Sequence, residues 1–403
     1  MKRRDLLFGL GGTCLAAMPG RAANAPLRIG VLADMSGPLS NISGDGSVTS
    51  ARMAVEDFGG SVLGRPIEIL VGDMQTKVDI GVEVARHWYD VQGVDVICDI
   101  PNSAVALAVQ TLATQRKRIV LQSAAGTTEL TGRQCSFYGV HWTFDTYALA
   151  KGVVSSIIDQ GGDTWFMIVT DYAFGLSLEA NARQIIESRG GRVLGSARYP
   201  SETTDFASYL MQARASGAKV IGLATNTNGA ENLIKQAREF GIVQSGQRVA
   251  ALILYLADVH AVGLEAAQGT LVEEAYYWDL DDAMRAFGKR LMAHTGAVPN
   301  QTQAAAYSAV THYLKAMAAC GTTDADAVMR QMRATPINDF MTHDGRIRED
   351  GRVVRDMYLF QVKSPAESRG PWDYYKLLRR IPGEETVIPL AETGCPLLVQ
   401  TKQ

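Results

Sequence analysis

The chain has 403 residues, of which 47% are hydrophobic, enough to give two or three ordinary domains a buried core each. Its 39 basic and 42 acidic residues leave a formal net charge of −3. This balance provides no positive field that would draw the chain to phosphate backbones or to an anionic membrane surface. We therefore expect a globular protein with no nucleic-acid partner.

The first residues predict export. A basic stretch, Lys2 to Arg4, precedes the apolar run 6–18, and small residues follow it. This order is typical of a signal peptide, which we place at 1–25, and the apolar run is too short to span a membrane as a helix. The adjacent arginines favour twin-arginine export slightly over the general secretory route. Cleavage after Ala25 or after Ala22 fits the pattern, and we expect the mature protein in the periplasm.

Strands and helices alternate along most of the mature chain. The apolar run 26–34 predicts a first buried strand, the spacing of apolar residues over 47–58 predicts a helix, and 67–71 predicts a second strand. Further strands are predicted at 94–98, 119–121, 165–169, 192–197, 220–224 and 249–255, and further helices at 80–91, 104–114, 147–158, 176–188, 206–215 and 230–239. Such alternation indicates an α/β fold, here with two doubly wound parallel-sheet lobes.

The pattern changes after residue 270. Helices are predicted at 282–294, 302–319 and 324–334, followed by a strand pair at 345–348 and 357–362. These late elements suggest that the chain returns to both lobes.

Four cysteines follow the predicted signal peptide: Cys98, Cys135, Cys320 and Cys395. A disulfide is reasonable in an oxidising compartment, but four cysteines allow three complete pairings and the spacing selects none. The sequence has no C-x-x-C motif, which argues against zinc or redox use, and we expect no metal or other cofactor.

Several segments carry a family resemblance. The chain reads IGVLADMSGP at 29–38, SAAGTTELTG at 123–132 and DYAFG at 171–175. In these segments it resembles the type I periplasmic solute-binding proteins of the leucine/isoleucine/valine-binding class. The resemblance implies two α/β lobes joined by a three-strand hinge that closes on a small-molecule ligand, and ABC permease subunits in the membrane as partners. We place lobe I at 26–145 plus 275–340 and lobe II at 146–274 plus 341–403, and we expect a monomer.

The first candidate ligand contacts lie before the helix predicted at 104–114. Asn102 and Ser103 follow a strand, and Ser103 stands where a residue would cap this helix. A helix start at the carboxyl edge of a parallel sheet favours a bound carboxylate. Ser103 also matches a family position that touches the ligand, which favours binding over capping alone.

A second group of candidates follows the strand at 119–121. The resemblance assigns Ala124, Gly126 and Thr127 to a loop that donates hydrogen bonds to an anionic group. At the position of Gly126, members of the family usually have a residue with a hydroxyl group. Either Thr127 supplies it instead, or the contact is made by the main chain alone.

The candidates of the second lobe are mainly aromatic. Tyr172 and Phe174 follow the strand at 165–169, and we expect one of them to be a core residue and the other a wall of the cleft. The resemblance places Asn226 and Tyr307 at the cleft as well, although Asn226 also suits a simple turn.

Our prediction of the ligand class depends on an acidic residue that this chain lacks. Amino-acid binders of this family carry an acid after the strand that corresponds to 249–255, where this chain is apolar unless Asp258 takes that role. A buried ammonium without a counter-charge is costly, so the gap argues against an α-amino acid. The segments 131–136 and 141–147 resemble the subgroup that binds benzoate-like and hydroxycinnamate-like acids. We therefore predict an aromatic acid, with a branched-chain amino acid, an amide or urea as alternatives.

Catalysis is the main rival function. The sequence contains no G-x-G-x-x-G after the first strand, no phosphate-binding P-loop, no H-E-x-x-H and no G-x-S-x-G, and none of its six histidines pair at i, i+4. We therefore expect a binding protein and no enzyme. A ligand sensor that acts on a separate receptor is a further alternative, because the same fold serves both roles.

Overall fold

The first half of the molecule is built on a six-stranded sheet. The computed structural model describes residues 25–400. The strands are β1 (Leu27–Ala33), β2 (Ser61–Val62), β3 (Arg65–Asp73), β4 (Val96–Asp99), β5 (Ile119–Gln122) and β6 (Gly139–His141), in the order β2-β3-β1-β4-β5-β6. All neighbours are parallel except β2 and β3. The helices between them are α1 (Gly44–Phe58), α2 (Val78–His87) and α3 (Ser103–Gln115).

The second half repeats this architecture on a four-stranded parallel sheet of order β10-β9-β7-β8. Its elements are α4 (Thr146–Asp159), β7 (Thr164–Thr170), α5 (Ala173–Ser188), β8 (Arg192–Tyr199), α6 (Ala207–Ala215), β9 (Val220–Ala224), α7 (Thr227–Glu239), β10 (Arg248–Ala251), α8 (Leu256–Val262) and α9 (Leu264–Ala267).

The last third of the chain serves both halves. It contains β11 (Leu271–Glu274), α10 (Asp282–Thr295), α11 (Gln301–Cys320), α12 (Ala325–Ala334), β12 (Arg346–Ile347), β13 (Val353–Val354), β14 (Met357–Val362), β15 (Tyr375–Ile381) and α13 (Leu397–Gln400). Helices α10 and α11 pack against α1 of the first half. Strands β11, β14 and β15 form an antiparallel sheet that contacts α4 and β10 of the second half.

Burial explains why the strands could be predicted from the sequence. Leu27, Ile29 and Val31 of β1 are fully buried, as are the central residues of β7 and β9. A parallel sheet covered by helices on both faces needs apolar residues throughout its strands, so these strands appear as continuous apolar runs. The predicted fold class is therefore confirmed.

The chain crosses between the halves three times, at 142–145, 275–281 and 335–356. A buried ion pair joins two of these crossings, since Arg352 Nε donates to Asp145 Oδ2 at 2.8 Å. Asp145 also caps α4 by accepting a hydrogen bond from the Ala148 amide at 2.8 Å. The crossings are thus held together where the two halves meet.

Two sequence-based elements were wrong in detail. Strand β10 ends at Ala251, whereas the prediction extended it to Tyr255, because the apolar residues after Ala251 lead directly into α8. The predicted strand pair at 345–348 and 357–362 does not exist, since β12 pairs with β13 while β14 pairs with β11 and β15.

The structure selects one cysteine pairing that spacing left open. Cys135, in the loop after β5, is bonded to Cys395 near the end of the described chain. Cys98 and Cys320 are free thiols. The disulfide links the C-terminal segment, which we assigned to lobe II, to the first half of the molecule. The lobe boundaries themselves remain a prediction. The predicted signal peptide, 1–25, lies outside the described residues except for Ala25.

Candidate functional site

Four helices begin along the cleft between the two halves. The first turns of α3, α5 and α7 and the residue before α8, each following a parallel strand, contribute to two adjoining cavities. The inner cavity measures about 20 Å³ and the outer one about 550 Å³. Leu39, Tyr172 and Asn226 line both. This edge is where α/β proteins of this type bind ligands.

The inner cavity is apolar and aromatic. It has no lysine, arginine, aspartate or glutamate among its lining residues, and four of them contribute rings. The lining consists of Leu39, Ile42, Pro101, Ala124, Phe144, Tyr172, Phe174, Asn226, Thr227, Ile253 and Tyr255.

Most residues that line the outer cavity have polar side chains, and its acids have no basic neighbour among the lining residues. Glu202 and Glu231 are its only ionisable lining residues of either sign apart from tyrosine. Asn102 and Thr76 lie on the side of the first half, and the start of α7 lies on the other. Hydrogen-bonding side chains of the outer cavity therefore lie next to the rings of the inner one.

Asp99 organises the wall that the first half provides. It is fully buried at the end of β4, and its carboxylate accepts hydrogen bonds from Ser43, from Ser47 Oγ at 2.9 Å and from Ser123 Oγ at 3.3 Å. Its backbone φ is +82°, a conformation rare for a residue with a side chain. Burial raises the pKa of Asp99 to about 6. This one carboxylate therefore ties the starts of α1 and of the loop after β5 to β4.

A second carboxylate positions the loop between β1 and α1. Asp34 Oδ2 accepts hydrogen bonds from the Leu39 amide and from Thr76 Oγ1, both at 2.7 Å. The Asp34 amide in turn donates to Ser43 Oγ at 3.3 Å. These contacts fix Leu39 where it lines both cavities.

The start of α3 differs from the sequence-based prediction. Asn102, and not Ser103, is the capping residue, since Asn102 Oδ1 accepts from the amides of Ala104 and Val105 at 2.9 and 3.1 Å. Ser103 is the first residue of the helix and turns its hydroxyl toward the neighbouring loop. There Ser103 Oγ accepts from the amides of Gly126 and Thr127 at 3.4 and 3.3 Å. Both residue types cap helices well, so the sequence alone did not choose between them.

In the loop after β5, Ala124 and Gly126 lie beside the inner cavity and its aromatic rings, whereas Thr127 lines a different cavity. A Cβ atom at Gly126 would lie 2.6 Å from the ring of Phe174 and 3.1 Å from that of Phe144. Ala124 lines the inner cavity. Thr127 Oγ1 accepts from the Glu129 amide at 3.3 Å, and the residue lines a separate cavity of about 510 Å³. The structure thus does not bring Thr127 into the cleft.

On the opposite wall, Tyr172 and Phe174 both face the inner cavity, with ring centroids 6.1 Å apart. Phe174 is buried and belongs to the hydrophobic core, whereas Tyr172 is half-buried and packs against that core. Burial raises the pKa of Tyr172 well above its ordinary value. Asn226 caps α7 through its Oδ1, which accepts from the Gly229 amide at 2.8 Å, and it also lines both cavities.

The chain matches a family model described as periplasmic binding protein over residues 26–370. This chain belongs to the periplasmic binding protein family. A periplasmic binding protein from Burkholderia mallei is 45% identical, with a TM-score of 0.90 over 92% of this chain and 99% of that one. A second crystal structure, described as a branched chain amino acid ABC transporter periplasmic ligand-binding protein from Burkholderia xenovorans LB400, is 39% identical, with a TM-score of 0.84 over 92% of this chain and 99% of that one.

One more distant solved structure shares the fold, and one sequence relative matches part of the chain. A solute-binding protein of Rhodopseudomonas palustris in complex with 4-hydroxybenzoate is 20% identical, with a TM-score of 0.80 over 89% of this chain and 97% of that one, a likeness that concerns the fold alone. A Brucella suis protein named Leu/Ile/Val-binding protein homolog 8 is 25% identical over 257 residues. That match covers 60% of this chain, and the chain spans about 62% of the length of the relative.

Sequence reasoning missed several cleft residues of this periplasmic binding protein, among them Leu39, Phe144 and Tyr255. Tyr255 was assigned to a strand, but it is the residue before α8 and lines the inner cavity. Its amide donates to Asp258 Oδ2 at 2.8 Å. Asp258, the acid proposed as a possible ammonium partner, is buried behind this contact and lines neither cavity. The acids at the cleft are instead Glu202 and Glu231.

Tyr307, like Thr127, lines neither cavity of the cleft. It belongs to α11, and its hydroxyl donates to Asp57 Oδ2 at 2.7 Å. Arg290 binds the same carboxylate through both terminal nitrogens at 2.9 Å, and the rings of Phe287 and Phe340 pack beside Tyr307. The contacts of Tyr307 therefore join α11 to α1 and α10.

Two further kinds of feature are absent from residues 25–400. No helix in this range has the length and apolar character needed to cross a membrane. Within the same range, histidine, cysteine, aspartate and glutamate side chains form no group of three suited to a metal ion.

Proposed function

We propose that this periplasmic binding protein is the solute-binding component of an ABC importer and that it closes on an aromatic carboxylic acid. The observation that carries the proposal is the inner cavity, which lies between the two halves and is lined by the rings of Phe144, Tyr172, Phe174 and Tyr255 with no charged side chain. Aromatic rings bury a large apolar area and prefer edge or offset contacts with another ring. An aromatic ligand matches that wall.

The carboxylate would be held by hydrogen-bond donors at the helix starts. Amides in the first turn of a helix and the helix dipole favour an anion. Helix α5 begins after Tyr172 with no side-chain cap, so its first amides are available to a ligand. Ser103 Oγ already accepts two amide hydrogen bonds, which leaves its own proton to donate to a carboxylate oxygen.

Transport follows from the family and from what its members are named. The Burkholderia xenovorans neighbour is described as an ABC transporter component, and permease subunits in the membrane are the partners that such a role requires. A two-lobed protein that closes around a solute presents a different surface when loaded, which a permease can distinguish. We propose binding without catalysis, and a receptor in place of the permease would make the same protein a sensor.

An α-amino acid is the second candidate, because Glu231 and Glu202 line the outer cavity without a basic neighbour there. Either carboxylate offers the counter-charge that an ammonium group needs. The description of the 39% identical neighbour as a branched chain amino acid protein agrees with this alternative.

Calorimetric titration and thermal shift of the mature protein would separate the two candidates. Benzoate, hydroxybenzoates and hydroxycinnamates are compared with leucine, valine, urea and a simple amide, since a ligand that binds only the folded state raises its stability by mass action. We expect an aromatic acid to give the largest shift. Stabilisation by leucine or valine, with no response to aromatic acids, would refute the proposal.

A matched variant strengthens this test. Glu231→Gln removes the negative charge at the outer cavity and leaves the rings untouched. It should leave aromatic-acid affinity within about twofold, whereas it should weaken amino-acid binding by roughly tenfold or more, the usual cost of removing a charged hydrogen-bonding partner.

A further inference from the structure

The hydroxyl of Tyr255 is a buried polar group without a partner. The residue is 1% exposed, lines the inner cavity, and its Oη has no hydrogen-bond partner among the described residues. A buried hydroxyl normally has one, and an exception calls for an explanation. The backbone of Tyr255 is fixed at the start of α8, because its amide donates a hydrogen bond to the Asp258 carboxylate.

The groups around this hydroxyl are acidic and come from both halves. Burial raises the pKa of Tyr255 well above its ordinary value, and the carboxyls of Glu274, Asp258 and Asp99 raise it further. Each of these acids is already bonded elsewhere: Glu274 Oε1 to Tyr375 Oη at 2.9 Å, Asp258 to the Tyr255 amide, and Asp99 to its serines. The Tyr255 oxygen is therefore left without a hydrogen-bond partner from the described part of the protein.

We propose that Tyr255 is a specificity-determining residue that forms a hydrogen bond with a neutral hydroxyl group on the ligand ring. This inference rests on the proposed function and narrows it to hydroxylated aromatic monocarboxylic acids. A ligand hydroxyl supplies the donor that the surrounding carboxyls do not. A second carboxylate at the same place would face Asp99 and Tyr255 without a counter-ion, so dicarboxylates are rejected.

The discrimination should be large for a single contact. A site whose buried polar group is left unpaired by the wrong ligand rejects that ligand more strongly than an apolar pocket rejects a missing methylene. We expect the better of 3- and 4-hydroxybenzoate to bind at least about tenfold more tightly than benzoate. Benzene-1,4-dicarboxylate should bind more weakly than benzoate.

The test is isothermal titration of the wild type and of Tyr255→Phe with these four acids. The variant keeps the ring and removes only the hydroxyl, so benzoate affinity should stay within about twofold while the preference for the hydroxylated acid falls to roughly one. Its thermal midpoint without ligand should not decrease, because the lost hydroxyl has no partner.

Tyr276→Phe is the matched control. Tyr276 is also 1% exposed, but its hydroxyl donates to the Met284 carbonyl at 3.2 Å and it lines neither cavity. This variant should lose stability and keep the wild-type preference among the acids.

The outcomes separate the two proposals. Binding of benzoate and hydroxybenzoates with the same preference in the wild type and in Tyr255→Phe overturns the role of Tyr255 alone. A wild-type preference near one overturns it as well, whether or not the variant folds. If no aromatic acid binds the wild type, the proposed function fails and the inference falls with it.

Discussion

The two walls of the cleft are built differently. On the first-half wall, Asp99, Asn102 and Ser103 all have hydrogen-bond partners within the protein. On the second-half wall, Tyr172 caps α5 without a side-chain bond and the Tyr255 hydroxyl has no partner. Polar groups that are hydrogen-bonded within the protein are held in place and suit a group that every ligand shares, while unpaired groups such as the Tyr255 hydroxyl discriminate among the rest. Four changes would break or sharpen this comparison.

The disulfide is expected to have the largest effect, because it anchors the loop that continues from the first-half wall. Cys395→Ser should lower the free energy of unfolding by about 4 kcal/mol, the upper part of the usual range, since the bond joins residues 260 apart in sequence. Urea unfolding measures this, and a reducing agent should produce the same loss in the wild type.

Cys320→Ser provides the control for that change. Cys320 is a half-buried free thiol whose sulfur contacts the carbonyls of Met317 and Thr322, which a serine hydroxyl can also reach. It should stay within about 0.5 kcal/mol of the wild type. An unfolding midpoint unaffected by Cys395→Ser would mean that this wall does not depend on the disulfide.

The second change tests Asp99 through pH. Its pKa is raised from 3.8 to about 6 by burial, so the folded state binds the proton more tightly than the unfolded state does. Stability from this group is therefore greatest below the unfolded pKa and is lost as pH rises from about 4 to about 6, by about 3 kcal/mol in all. Asp99→Asn should remove that decline, as measured by urea unfolding at several pH values.

Asp57→Asn is the comparison for this experiment. The pair with Arg290 lowers the pKa of Asp57, so its contribution is lost as pH falls below about 4 and not between 4 and 6. Asp57→Asn should therefore leave unchanged the loss of stability between about pH 4 and about pH 6. Parallel pH profiles for the wild type and Asp99→Asn would show that the Asp99 proton does not control stability.

The third change puts a larger side chain at Gly126, where the two walls of the cleft meet. Gly126→Val places a branched side chain where Phe174 and Phe144 already lie 2.6 and 3.1 Å from the Cβ position. Side chains forced into a packed site typically cost 1–3 kcal/mol, so ligand affinity should fall by about 100-fold. Adding Phe174→Ala should recover part of the loss. If the single variant binds as the wild type does, the rings do not approach this loop during binding.

The smallest effect is expected for Ser103→Ala, which removes the acceptor for the Gly126 and Thr127 amides. Affinity for a carboxylate should fall by roughly fivefold to tenfold, about 1 kcal/mol, and the thermal midpoint should also fall, because two buried amides lose their acceptor. Calorimetry on the mature protein measures it. An unchanged affinity would remove Ser103 from the anion site.

The sequence predicted the strands that are buried on both faces and therefore the edge where the site lies. Runs such as 26–34 and 220–224 correspond to β1 and β9 almost residue for residue. The run 249–255 misled, because a short apolar segment can belong to a buried strand or to the start of a buried helix. Tyr255 was missed for that reason.

Other features were beyond a single sequence for physical reasons. Asn102 and Ser103 are adjacent and cap equally well, so only the backbone geometry shows which one does. The role of Asp99 depends on three serines that lie 24 to 56 residues away, and the pairing of Cys135 with Cys395 spans most of the chain. Such contacts are set by the fold and leave no local pattern.

The size of the inner cavity has a kinetic consequence. At about 20 Å³ it has room for roughly one water molecule, which is far less than any organic acid requires. The rings and the loop carrying Gly126 must separate before a solute can reach them. The rate of capture is then limited by how often the two halves part, and for chemically different solutes of similar size the association rates should differ much less than the residence times.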